Sequence, residues 1–374
     1  MKKILHISHS LDTGGGPEYI KKIIINNNGN FDHYVMGNKG IYFIFFKKYL
    51  GDNKVFSLKN KNIIYNNLLI KKIIKKIKPD VIHIHGRGAG IYARILNSDY
   101  SNKIVYTLHG FNVESLNYLK KNLYLLIEKK LINKTSKIIC VSDSERKEFI
   151  NTLNLEDSRK IITIPNFVEE LKSEEYVDNN IIEEKIKNRL DVDIQKYPIK
   201  LLTVARLSYQ KGIDLSIKAL AKLKNKKIIL IIIGEGREKK SLMKLVEKEG
   251  LKTNVFFLGK IENARTWMKY FDAFLITSRF EGMPYTILEA LEAKIPIIAT
   301  PSRGIKDVLT EKYCYLTKSF DEHEIARTIQ KFIDDASLNR NKLNSYINKY
   351  YQTINKKYKK DRIISEIYNL YERI

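Results

Sequence analysis

Glu281 and Glu289 bracket the run Gly282-Met283-Pro284-Tyr285-Thr286-Ile287, in which a glycine and then a proline open an apolar-periodic segment. Proline favours the first turn of a helix, and the first N–H groups of a helix have no partner inside it. Amides around Met283–Ile287 would then make an anion site, with carboxylates to accept hydrogen bonds from hydroxyls on either side of a bound phosphate. The plainer alternative is two acids favouring the positive end of a helix. A second run, Val204-Ala205-Arg206-Leu207-Ser208-Tyr209-Gln210-Lys211-Gly212, sets Arg206 directly after an apolar strand and Lys211 just before a helix. Two such cations can hold a diphosphate and stabilise it as it leaves; alternatively they are surface charges of a basic chain.

Weaker signals lie nearer the amino end. Gly14-Gly15-Gly16 follows a strand and precedes a helix, which suits close approach of backbone to phosphate or sugar. It has neither the Gly-x-Gly-x-x-Gly spacing of dinucleotide sites nor the Lys-Ser/Thr ending of a P-loop. His109, in Thr107-Leu108-His109-Gly110, ends a strand and is open to three roles: general acid or base, hydroxyl partner, or packed bystander. His83 and His85 share one strand face like a metal pair, but the sequence offers no third ligand at helpful spacing. Asp191-Val192-Asp193 matches the Asp-x-Asp of metal-dependent sugar transferases. It falls in an expected linker, where no ligand loop is due, and reads as a decoy.

Two series of elements would position these residues. Short β-branched runs such as Lys3–His9, Val81–His85 and Ile104–Leu108 alternate with helical segments at Ile63–Ile77, Glu114–Asn133 and Asp143–Leu153. That alternation indicates βαβ units on a parallel sheet. The pattern dissolves in charged, Asn-rich sequence near Val168–Tyr197 and resumes with Lys200–Val204 and the continuously apolar Ile228–Ile233, as buried parallel strands read. The expected fold class is α/β, with two doubly wound Rossmann-like domains facing an interdomain cleft. The expected bounds are 1–167, a linker at 168–197, and 198–352, with a terminal helix at 353–374 packing back on the first domain. Ligands of such sheets bind beyond the carboxyl ends of the strands, where the loops named above fall.

The 374 residues carry 67 Lys plus Arg against 42 Asp plus Glu, a net charge of +25, and 44% are hydrophobic. That content excludes disorder as the main state. Two cysteines exclude a disulfide framework or cysteine-rich zinc module. No apolar stretch approaches the roughly 20 residues of a membrane span, and His6, Ser8, His9 and Asp12 interrupt the apolar core of a cleavable signal. Most of the cations are Lys beside abundant Ile and Asn, so the charge reflects either AT-rich coding or a basic face for an anionic partner.

Taken together, these segments resemble the retaining glycosyltransferases of family 4, which have the two-domain GT-B fold. Glu281 and Glu289 match the family's Glu-x7-Glu motif, and Arg206 with Lys211-Gly212 matches its Arg and Lys pair. Gly14-Gly15, the surroundings of His109, Val141-Ser142, Ile164-Pro165-Asn166, Gly234-Glu235-Gly236 and Ile295–Thr300 agree in order. The matches run from about Ile4 to Val308. The resemblance implies transfer of a hexose-type sugar, with retention, from a nucleoside-diphosphate sugar expected to be UDP-linked. The acceptor would be a glycan or polyprenyl-linked molecule in cell-surface polysaccharide synthesis.

By position, the resemblance implies catalytic roles for Arg206, Lys211, Glu281 and His109. Donor-binding roles fall to Gly15, Gly16, Gly234, Glu281, Gly282, Met283, Pro284, Tyr285, Thr286, Ile287 and Glu289. Arg206 and Lys211 would clamp the diphosphate, Glu289 would accept from the ribose, Glu281 from the transferred sugar, and His109 would contact that sugar near the reacting carbon. No cofactor and no metal are implied. Phe167 after Asn166, Gly16-Pro17-Glu18 and Lys294 before Ile295-Pro296 depart from the commoner family pattern without touching the charged residues. Other readings are an epimerase or phosphorylase of the same fold, or an inert membrane-binding relative.

Membrane contact is a further expectation. Ile63, Ile70, Ile73, Ile74 and Ile77 interleave with Lys71, Lys72, Lys75, Lys76 and Lys78, while Tyr118–Lys134 and Ile41–Leu50 have the same character. Basic amphipathic helices lie on anionic bilayers, although sheet-covering helices with a solvated Lys face look alike. The expected location is the cytoplasm, at the inner face of the cytoplasmic membrane. Nucleic acid is not expected as a partner, for no binding motif or stacking-aromatic pattern accompanies the charge.

Overall fold

The computed structural model of the chain describes residues 1–12, 14–58, 63–95, 98–113, 116–223 and 227–374. Strands and helices alternate from the amino end as β1 (Lys2–Ser10), α1 (Gly15–Ile25), β2 (Phe31–Asn38), α2 (Ile41–Leu50), β3 (Val55–Ser57), α3 (Ile63–Ile77) and β4 (Val81–His85). Then come α4 (Gly86–Ile95), β5 (Ile104–Thr107), α5 (Tyr118–Ile132), β6 (Lys137–Cys140), α6 (Asp143–Leu153) and β7 (Ile161–Thr163). The second series runs α7 (Asn179–Leu190), β8 (Ile199–Val204), α8 (Ile213–Ala221), β9 (Ile228–Ile233), α9 (Lys239–Lys248), β10 (Val255–Gly259) and β11 (Ala273–Ile276). It ends with α10 (Tyr285–Glu292), β12 (Ile297–Ala299), α11 (Arg303–Lys306), β13 (Tyr315–Leu316), α12 (Glu322–Lys357) and α13 (Lys360–Glu372). Of the helix expected from Glu114, residues 114 and 115 lie outside the described residues.

The chain forms two units, Met1–Asn166 with Lys360–Ile374, and Phe167–Lys359. The first is built on a seven-stranded sheet of order β3-β2-β1-β4-β5-β6-β7, the second on a six-stranded sheet of order β10-β9-β8-β11-β12-β13. All pairings are parallel. β9 is buried along its whole length, which explains its unbroken apolar run. Strand order reverses between β1 and β4 and between β8 and β11, so each unit has a switch point at which neighbouring loops diverge and leave room for a ligand.

Residues 168–197 are not a bare linker. They contain α7, whose Ile182 and Ile186 are buried one turn apart, and they belong to the second unit. Surrounding charges hide that stripe in the sequence. Asp191 takes a left-handed conformation at the end of α7, and Asp193 accepts from Gln195 N, so the Asp-x-Asp pair shapes a turn. At the carboxyl end, α12 continues to Lys357, and the chain rejoins the first unit only at Lys360. There α13 buries Ile363, Ile367, Tyr368 and Tyr371.

The first sheet uses its two faces differently. Leu5, Ile7, Ile82 and Ile84 enter a core shared with α3, α4, α5 and α6. Side chains alternate along a strand, so His6, His83 and His85 lie on the opposite face, against Tyr19 of α1 and Tyr371 of α13. Of the two readings of the α3 isoleucines 70, 73, 74 and 77, the sheet-covering one holds, for they belong to the core. Among the described residues of α2, α3 and α5, the large apolar side chains that are exposed are instead Ile64, Tyr65 and Leu68 on α3, Tyr118, Leu119, Leu123 and Leu126 on α5, and Ile41, Ile44 and Tyr49 on α2. No helix among the described residues is long and apolar enough to cross a membrane.

Candidate functional site

The second unit's site forms at its switch point. The segment after β8 and the segment after β11 lie side by side because their strands are paired. Arg279 N donates to Gln210 O at 2.9 Å, and Gln210 Nε2 donates to Phe280 O at 3.1 Å. The Arg279 guanidinium grips both Asp214 oxygens at 2.8 and 2.6 Å and lies over the Tyr209 ring. Lys211 Nζ donates to Glu281 Oε1 at 2.5 Å, with both side chains largely buried. Arg206 is exposed just beyond β8, and its guanidinium has no partner among the described residues.

Glycines permit this closeness. Gly212 has φ +60, and a Cβ there would lie 2.1 Å from Thr277 O. A Cβ on Gly234 would lie 1.9 Å from Ala205 O, so Gly234 abuts the backbone that carries Arg206. Sequence reasoning missed Gly304, whose Cβ would lie 1.9 Å from Gly282 O. Its absence lets the start of α11 back the Glu281 loop, a closeness between loops that sequence spacing does not reveal.

Gly282, Met283 and Pro284 lead into α10, with Pro284 as the residue that precedes its first turn rather than a member of it. The side chains of Met283, Pro284, Tyr285 and Ile287 are buried, so what they can offer a ligand is backbone. Thr286 and Glu289 stay half-exposed and, three apart, share one face of α10. The structure therefore gathers Arg206, Lys211, Glu281, Gly282 and the start of α10 at one place on the second sheet's carboxyl edge.

Gly15, Gly16 and His109 form a cluster in the first unit. Gly15 and Gly16 open α1, and a Cβ on Gly16 would lie 3.6 Å from His109 Cδ2. His109 is half-buried in the left-handed region at φ 58, followed by Gly110 at φ 110. Glu145, which sequence reasoning also missed, holds this bend. Its Oε1 accepts from Gly110 N and Phe111 N at 2.6 and 2.7 Å, and its Oε2 from Val141 N at 2.7 Å. The Ser142-x-x-Glu145 pattern of a capping box was its signal. Burial pushes the Glu145 carboxyl up to about 7 against the pull of these three donors. Burial also lowers His109 to about 3, so its ring is neutral near pH 7 and works by hydrogen bonding rather than as a cation.

The lone pair His83 and His85 gains a neighbour through strand register, for His6 on β1 stands opposite His83 on β4. Their ring nitrogens approach within 4.8 Å of one another. All of them are already engaged: His83 with Tyr371 Oη at 2.5 Å and Thr107 Oγ1 at 2.7 Å, and His6 and His85 with each other and with further histidines.

Residues 184–352 match the family described as Glycosyl transferases group 1, and residues 51–170 match Glycosyltransferase Family 4. An O-antigen biosynthesis glycosyltransferase of Escherichia coli is 26% identical over 266 residues, which span 71% of this chain and 71% of that protein. The Escherichia coli UDP-Gal:alpha-D-GlcNAc-diphosphoundecaprenol alpha-1,3-galactosyltransferase is 27% identical over 277 residues, spanning 72% of this chain and 70% of that one. The solved structure of Anabaena HepE in complex with UDP-glucose has a TM-score of 0.81 and 20% identity, with both chains covered completely. That last likeness is one of fold.

Proposed function

Because the chain belongs to the family 4 glycosyltransferases, with their GT-B fold, we propose that it moves a hexose-type sugar, with retention, from a UDP-linked donor to a glycan or polyprenyl-linked acceptor. It is a glycosyltransferase of polysaccharide biosynthesis, of the kind that builds cell-surface polymers. The observation that carries the finer reading is the Lys211–Glu281 contact beside an exposed Arg206 and the start of α10. An ammonium has three donors, so Lys211 can keep Glu281 in place and still meet a phosphate oxygen. Arg206 meets the diphosphate from the other side, joined by the opening amides of α10. Glu281, anchored through one oxygen, keeps the other for hydroxyls of the transferred sugar, and Glu289 accepts from the ribose.

As the bond to the anomeric carbon breaks, negative charge grows on the departing diphosphate, and Arg206 and Lys211 stabilise it most at that stage. A leaving phosphate oxygen takes the proton of the acceptor hydroxyl, which attacks from the same face. The two side-chain cations supply the charge stabilisation that a metal ion supplies in Asp-x-Asp transferases. His109, neutral, accepts or donates a hydrogen bond to the donor sugar, beside Gly15 and Gly16.

The exposed apolar side chains on α2, α3 and α5 support contact with an anionic bilayer at the inner membrane face. Helices that follow parallel strands begin at the carboxyl edge of the sheet, so Ile41, Ile44, Ile64, Leu68, Leu119 and Leu123 gather near that edge, interspersed with Lys47, Lys71 and Lys120.

The test is Glu281→Gln. UDP binding by calorimetry is expected to stay within about threefold, while transfer falls at least a hundredfold. Loss of both in parallel would sink the assignment of Glu281 to the sugar rather than the nucleotide. Release of nucleoside diphosphate without any acceptor would point to an epimerase instead.

A further inference from the structure

Four histidines of the first unit are joined nitrogen to nitrogen in one direction. His33 Nδ1 lies 3.0 Å from His6 Nε2, His6 Nδ1 lies 3.1 Å from His85 Nε2, and His85 Nδ1 lies 3.2 Å from His109 Nε2. The neighbouring strands β2, β1 and β4 supply the first three rings, and the fourth follows β5. Burial lowers the pKa of all four, and repulsion between the rings adds to this for His6 and His85. Each ring is therefore neutral, with one proton for two nitrogens.

Every link joins an Nδ1 to an Nε2, so only two arrangements give each link one proton. Either all four rings are Nδ1–H or all four are Nε2–H. Turning His6 or His85 alone would set N–H against N–H on one side and lone pair against lone pair on the other, and both rings are buried away from water. The far end of the string decides between the two. Tyr368 Oη donates its one proton to Ile23 O at 2.7 Å and can offer only a lone pair to His33 Nε2 at 3.5 Å. His33 thus carries its proton on Nε2, and the same choice passes through His6 and His85.

We infer that Tyr368, His33, His6 and His85 are positioning residues that hold His109 in its Nε2–H tautomer, leaving His109 Nδ1 as an acceptor at the carboxyl edge of the first sheet. Such an acceptor selects a ligand that brings a hydroxyl proton. On the reading of His109 as a partner of the donor sugar, which this consequence rests on, that proton belongs to a hydroxyl of the transferred sugar. The tautomer itself does not depend on that reading. A metal at His6, His83 and His85 would have to displace the contacts that both ring nitrogens of each now make.

The test is nitrogen-15 NMR of the full chain labelled at histidine. In the wild type, His33, His6, His85 and His109 are expected to show protonated Nε2 and bare Nδ1 signals. Tyr368→Phe keeps the ring stacked on Phe31 and removes the hydroxyl, which is both the acceptor offered to His33 and the donor to Ile23 O. In that variant the His109 Nδ1 signal is expected to move toward the protonated position, and kcat/KM to fall about two- to tenfold, the range of one hydrogen bond. A wild-type His109 protonated on Nδ1 would overturn the inference, as would an unshifted His109 in a folded Tyr368→Phe. One equivalent of Zn2+ is expected to leave the four rings unchanged; displacement of His6 and His85 signals would also overturn it. If the tautomers are as inferred but no nucleotide sugar is used, the proposed function fails and the string stands.

Discussion

Acidification should open the first unit before the second. His6, His33, His83, His85 and His109 are held below the ordinary imidazole range by burial, so the folded chain leaves them neutral while the unfolded chain protonates them near pH 6.5. A depressed pKa contributes stability that is complete above the unfolded value and is lost progressively as pH falls from there through the folded one. Between pH 7.5 and 6.0 each ring loses a little under 1 kcal/mol, and five rings together about 4 kcal/mol. Glu145, raised to about 7, works the other way, because the folded state takes up its proton in this window and recovers about 1 kcal/mol. The balance is about 3 kcal/mol, roughly a hundredfold in protection.

The only tryptophan, Trp267, lies in the second unit and cannot report on the first. Hydrogen exchange of peptides from β1, β2 and β4, corrected for the intrinsic rate, can. Strands β8 and β9 serve as the control, since His323, the one histidine of their unit, is exposed. Equal losses of protection in both units, or less than about a threefold loss in the first, would refute the reasoning.

Three further outcomes are expected. Arg94 and Glu128 form a fully buried pair at 2.7 and 2.8 Å, so Glu128→Ala should destabilise the first unit by about 3–5 kcal/mol, measured by hydrogen exchange of β5, whereas a surface pair such as Arg159–Asp157 should cost little when broken. A Cβ on Gly15 meets nothing within 4 Å, so Gly15→Ala should melt no lower than the wild type yet raise KM for the donor, because only a ligand would be crowded. Leu119→Glu with Leu123→Glu, both exposed on α5, should abolish co-sedimentation with vesicles rich in anionic lipid and leave transfer to a soluble acceptor unchanged.

Much of the candidate site was legible because it lies in loops that follow strands directly. Once β8 and β11 are recognised as strands of one doubly wound sheet, Arg206, Lys211 and Glu281 fall at its carboxyl edge whatever the details of packing. What stayed hidden depends on contacts far apart in sequence. His6, His33 and His85 come together only through the register of three strands, and Tyr368 reaches them from α13. Gly304 matters only because α11 folds against Gly282. The sequence leaves the α3 isoleucines open between a core stripe and a membrane stripe, since lysines flank both, and the choice between them rests on what covers the sheet.

The proposed reaction is sugar transfer with retention from a nucleoside-diphosphate donor. Its most direct test is the one-dimensional proton spectrum of the product formed from an α-linked UDP-hexose and a polyprenyl-linked or glycan acceptor. An anomeric signal with the small coupling of an α linkage, formed together with stoichiometric UDP, is the expected result. A β-linked product, or no turnover of any nucleotide sugar, would contradict it.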